Sequence, residues 1–108
     1  MPFTPTFTPV TERATLAGMG YGVPVDIGLD SANAYVAGGF SLDGCGIQTV
    51  IGVAQIGNDT AGEGYVAQWN TTTNLLQIFV SGASASPLQE FVGTFGASIS
   101  IRGWVLGW

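Results

Sequence analysis

The sequence predicts an all-β, single-domain antiparallel β-sandwich, of the jelly-roll or Ig-like Greek-key kind, with an extended N-terminal arm. Three observations carry that reading. Apolar residues recur at period two rather than 3.6. Seventeen glycines and five prolines are spread so evenly that few windows hold three helical turns. The 108 residues then divide into short apolar segments separated by turn clusters, within the size of one domain with one core.

Residues 2–9 alternate Pro2, Pro5 and Pro9 with Thr and Phe. Each proline fixes its own φ and drives the preceding residue to extended geometry. Residues 1–10 are therefore assigned to an extended Pro/Thr arm and residues 11–108 to the sandwich. Strands are expected at Thr11–Gly18, Val23–Leu29 and Ala34–Phe40. Thr49–Ile56 reads as the clearest buried strand, with Val50, Ala54 and Ile56 on one face and Ile51 and Val53 on the other. Apolar residues on both faces are expected inside a sandwich or under a partner. Asn58–Gly62 reads as a turn. Gly64–Trp69 and Leu75–Ser81 form a hairpin around Asn70–Asn74, because Asn tolerates the left-handed geometry of such loops. After a small-residue loop at Gly82–Pro87 come a short strand at Glu90–Val92 and a last one at Ser98–Trp108. In that last strand Ile99, Ile101 and Val105 share one face; Ser98, Ser100, Arg102 and Trp104 share the other.

Composition excludes several functions. The chain has no His and no Lys, two Arg, one Cys and seven carboxylates, for a net charge of -5. Without His there is no Ser-His-Asp triad, Cys-His dyad or imidazole metal cage. Without Lys there is no Walker-A loop and no Schiff base. Two arginines cannot make a nucleic-acid footprint. A single Cys excludes an internal disulfide framework. The start, Met1-Pro2-Phe3-Thr4-Pro5, lacks the basic-then-apolar pattern of a signal peptide. Residues 64–89 are uncharged, but Gln68, Asn70, the Thr71–Thr73 run, Asn74 and Gln77 argue against a membrane span.

Charged residues make up only 8% of the chain, against about 25% in an average soluble domain. Either Thr, Ser, Asn and Gly cover the outside, or much of it is buried against other proteins. Carboxylates are the only acid-base groups. Asp26 and Asp30, and Asp59 and Glu63, are each four apart, but these pairs flank turns, where acids are ordinarily solvated. Asn58, Asp59 and Glu63 offer oxygen ligands without the alternate-position pattern of a calcium loop. Cys45, between Gly44 and Gly46, reads as a small apolar side chain in a glycine turn. No catalytic residue, cofactor or metal is expected. Contact residues are. Trp104 shares a strand face with Arg102, and both types are enriched in interface hot spots. Phe3 and Phe7 would make the arm a strap laid onto a neighbour, adding avidity. Removal of residues 2–9 is then expected to leave the fold intact.

The segment Tyr35-Val36-Ala37-Gly38-Gly39-Phe40-Ser41-Leu42 resembles the Y-x-x-G-G-[FY]-x-L stretch of small capsid-associated proteins of tailed bacteriophages. The resemblance continues through the apolar strand Thr49–Ile56, a G-Y-x-x-x-[WY]-[DN] stretch with a polar hairpin at Gly64–Asn74, and the strand Leu75–Val80. It ends with Glu90-Phe91-Val92-Gly93-Thr94 and an apolar strand with Arg at Ile99–Leu106. The Gly44-Cys45-Gly46 stretch and the missing Lys depart from it. The resemblance implies a head decoration or cement protein on the capsid exterior of the virion, bound to the major capsid protein, often as a homotrimer. It brings no catalytic residue and no cofactor. Two other readings fit the residues: a tail or fibre component, and a carbohydrate-binding sandwich whose Trp104 and Trp108 stack on sugar rings.

Overall fold

A computed structural model describes residues 3–12, 14–16, 20–58, 65–81, 88–95 and 99–108. The chain is all-β. Its strands are β1 (Thr6–Pro9), β2 (Ala14–Leu16), β3 (Gly20–Leu29), β4 (Val50–Asn58), β5 (Val66–Asn70), β6 (Leu75–Ser81), β7 (Leu88–Glu90) and β8 (Ile99–Gly107). They form two antiparallel sheets facing each other across one core, a β-sandwich. The larger sheet runs β1-β3-β8-β4, with β2 also paired to β3, and the smaller runs β5-β6-β7.

The spine is the pairing of β3 with β8, from Tyr21 opposite Gly107 to Leu29 opposite Ile99. Period-two alternation turns Val23, Val25, Ile27 and Leu29 inward with Ile99, Ile101 and Val105, and all seven are buried. Each such side chain contributes about 1.5–3 kcal/mol relative to exposure. The smaller sheet answers with Ala67, Leu76 and Ile78. The connection between β3 and β4 adds Tyr35, Phe40, Leu42, Cys45 and Ile47 to the same core. Pro24 lies within β3, where it can donate no ladder bond. Its carbonyl accepts from Val10 N, in the gap between β1 and β2, so the missing N–H falls where the ladder is already broken.

Four expectations are corrected. The arm is extended, but Thr6–Pro9 is a strand of the domain's own sheet, with Phe7 opposite Ile27. Phe3 packs against the core, its ring centroid 5.8, 5.4 and 6.1 Å from those of Tyr35, Phe40 and Phe95. Ala34–Phe40 is not a strand. It makes single bridges, Tyr35 to Gly93 and Phe40 to Leu76, because Gly38 and Gly39, both at φ 99°, turn the chain between them. Of Thr11–Gly18 only Ala14–Leu16 is assigned as strand, and residues 13 and 17–18 lie outside the described residues. Thr49–Ile56 is not central: among the described residues β4 pairs only with β8, and its register slips at Ile51 and at Ile56. Each slip takes one isoleucine out of the ladder, leaving Ile51 52% and Ile56 57% exposed.

Candidate contact face

The outer face of the larger sheet follows from the same alternation that builds the core. While Val23, Val25 and Ile27 point in, Gly22, Pro24, Asp26 and Gly28 point out, and register sets Leu106, Trp104, Arg102 and Ser100 beside them. Ala54 of β4 lies opposite Trp104 on its other side. Arg102 and Trp104 thus share this face, as their spacing predicts. The indole of Trp104 lies against Gly22, where an added side-chain carbon would sit 2.9–3.0 Å from three ring atoms. Only glycine lets the ring settle there.

Beyond Trp104, Arg102 donates to Asp26 from Nε at 2.7 Å and from Nη2 at 3.0 Å. This two-pronged hydrogen bond holds the Asp26 carboxyl below its ordinary value and raises Arg102. The pair lines a shallow hollow of about 440 Å³ with Ile56, Gly57, Asn58 and Ser100. The face is therefore apolar, with its one described charge pair neutralised internally. The exposure of Ile51 and Ile56 was not expected from their alternation. The available signal was the glycine after each, since a glycine inside a strand marks a bulge.

The other predicted groups have local roles. Phe3 and Phe7 are partly buried on the opposite, core side of the sheet and do not join Arg102 and Trp104. Asp30 accepts from the Asn33 side chain and from the backbone N–H of Thr4 and Ala32, which lowers its carboxyl to about 2. Asp26 and Asp30 thus serve separate partners. Cys45 is buried, which pushes its thiol up, and its Sγ lies 3.8 Å from the Ile47 carbonyl oxygen. Asp59 and Glu63 lie outside the described residues, while Asn58 donates to the Tyr65 carbonyl.

Sequence reasoning also missed two long-range contacts. The Tyr35 hydroxyl joins Glu90, and the Gln55 side-chain amide bridges the two sheets. Among the described residues, no group of three or more His, Cys, Asp or Glu is placed to hold a metal ion, and no helix is long and apolar enough to cross a membrane. No family model, no curated protein and no solved structure matches this chain.

Proposed function

We propose that the chain is a non-catalytic structural protein that decorates the exterior of a tailed-phage head, bridging neighbouring copies of the major capsid protein. The observation that carries this reading is the outer face of the larger sheet. Trp104, Leu106, Ala54, Ile51 and Ile56 present apolar surface there, and Arg102 and Asp26 cancel each other's charge. Exposed apolar patches of this kind mark protein contacts. The phage head as partner comes from the sequence resemblance.

The test is binding of the purified chain to phage heads stripped of small proteins, followed by quantitative mass spectrometry of the particles. Copy numbers comparable with the main shell protein, and at least tenfold weaker binding by Trp104→Ala, are expected. No binding by the wild-type chain, or full binding by the variant, defeats the reading.

A second reading rests on one observation: the strand face that carries Trp104 also carries a hollow lined by Asp26, Asn58, Ser100 and Arg102. A ring beside polar groups is how a sugar would be stacked and hydrogen-bonded. A saturable change in Trp fluorescence with oligosaccharides would favour it.

A further inference from the structure

We propose that β4 pairs the free chain with a second copy of itself, across a two-fold axis passing beside Ala54. The strand repeats one short device. At each register slip an isoleucine is pushed out to solvent and a glycine follows: Ile51-Gly52 and Ile56-Gly57. The two isoleucines are about half exposed. A carbon added at Gly52 or Gly57 would meet nothing within 4 Å, so each glycine leaves an open hollow beside its protruding neighbour.

This relief is self-complementary in one antiparallel register. When Ala54 meets its own counterpart, Ile51 faces Gly57 of the second copy and Ile56 faces Gly52. Both protrusions of each copy then enter both hollows of the other at once. The same surface meeting itself is the defining property of a two-fold contact. Residue size agrees at the axis, where the exposed Ala54 is small enough for close approach.

Charge agrees as well. Two copies at a net charge of -5 repel one another. Thr49–Asn58 contains no charged residue, and the one described acid on this face, Asp26, is bonded to Arg102. The contact therefore brings together neutral surface, and added salt should strengthen it by screening the remaining acids. A patch held by ion pairs would respond in the opposite sense.

A second copy and a phage shell cannot occupy this face together, so pairing and attachment are alternative states. The inference does not depend on the shell reading, and its experiment uses no particles.

The experiment is sedimentation equilibrium of the full chain over a wide concentration range, at low and high salt. A monomer–dimer equilibrium is expected, tightening with salt. Ala54→Arg and Ala54→Glu each place like charges at the axis and should raise the dimer dissociation constant at least tenfold. Mixed in equal amounts, the two variants should dimerise again, because residue 54 meets residue 54. Val92→Arg, at a site 81% exposed elsewhere, should leave pairing unchanged. Urea unfolding of each variant verifies its fold. If the Ala54 variants fail to fold, Gly57→Val, which fills a hollow, takes their place with the same expected loss. A wild-type chain that stays monomeric, forms trimers, or dimerises undiminished with Arg at position 54 overturns the proposal.

Discussion

The Tyr35 hydroxyl donates to Glu90 Oε2 at 2.7 Å and accepts from the Ile78 backbone N–H at 3.1 Å. One phenol thus ties the connection after β3 to β6 and to the end of β7. Tyr35→Phe keeps the ring among its aromatic neighbours but leaves the Ile78 N–H without its partner. An unsatisfied buried donor costs about 1–3 kcal/mol. Urea unfolding should show a loss in that range, with the slope unchanged. A loss below about 0.5 kcal/mol would mean that the bond adds nothing net.

Acid should destabilise the chain through the same cluster. Burial pushes the Glu90 carboxyl up, but donors from Tyr35, Gly38 and Gln77 outweigh it and leave Glu90 below its ordinary value of 4.5. Asp30 falls from 3.8 to about 2. Both groups bind fewer protons when folded than when unfolded. Their stabilisation is therefore full above the ordinary carboxylate range and is lost progressively as pH falls from there through the lowered folded values, about 2 for Asp30. Urea midpoints should hold level from about pH 7 to 5 and decline below about pH 4.5, the range in which unfolded carboxylates titrate. Glu90→Gln should shrink that decline. An unchanged acid profile in the variant would separate Glu90 from it.

The amino-terminal segment should behave as part of the core. Phe3 touches three aromatic rings and is partly buried, so Phe3→Ala should cost about 2 kcal/mol, less than the 3–5 of a fully buried Phe. Removing residues 2–9 also deletes β1 and uncovers one edge of β3, and a larger fall in thermal midpoint is expected. Equal midpoints for truncated and full chains would restore the picture of a free arm.

Gly38 and Gly39 make a matched pair, both at φ 99°. A side chain at Gly38 meets nothing within 4 Å, whereas one at Gly39 overlaps the Leu76 carbonyl. Gly38→Ala should cost only the backbone strain, about 1–2 kcal/mol. Gly39→Ala should cost more, because β6 has to shift. Equal losses, measured by urea unfolding, would show that the Leu76 contact yields freely.

Much of the fold was legible because it rests on short-range alternation. Val23–Leu29 and Ile99–Val105 carry it: both became inner strands, and Ile99, Ile101 and Val105 share one buried face as their alternation predicts. The hairpin around Asn70–Asn74 was legible from turn chemistry, and Asn74 adopts φ 59°. Trp104 and Arg102 followed from strand parity. What stayed hidden depends on register or on distance along the chain. The slips in β4 break parity at two single residues, so an apolar run that read as buried shows two isoleucines to solvent. Glu90 meets Tyr35 across 55 residues, and no local pattern announces it. Phe3 looked free because a proline-rich stretch has no partner in its own neighbourhood of sequence.

Gln55, with Asn58 beside it on the same Tyr65 carbonyl, stitches the two sheets together through side chains. Its side-chain amide accepts from Ala67 N–H at 2.9 Å and donates to the Tyr65 carbonyl at 3.0 Å, the pair of bonds that a neighbouring strand's peptide group would make. Hydrogen bonding therefore runs from β4 into β5 through side chains rather than a backbone. A ladder joins strands at every second residue and parts only along its length. A stitch parts at one place. Pulled across that boundary, the molecule should tear at Gln55 and Asn58 first, opening like a book whose spine is the far side of the core.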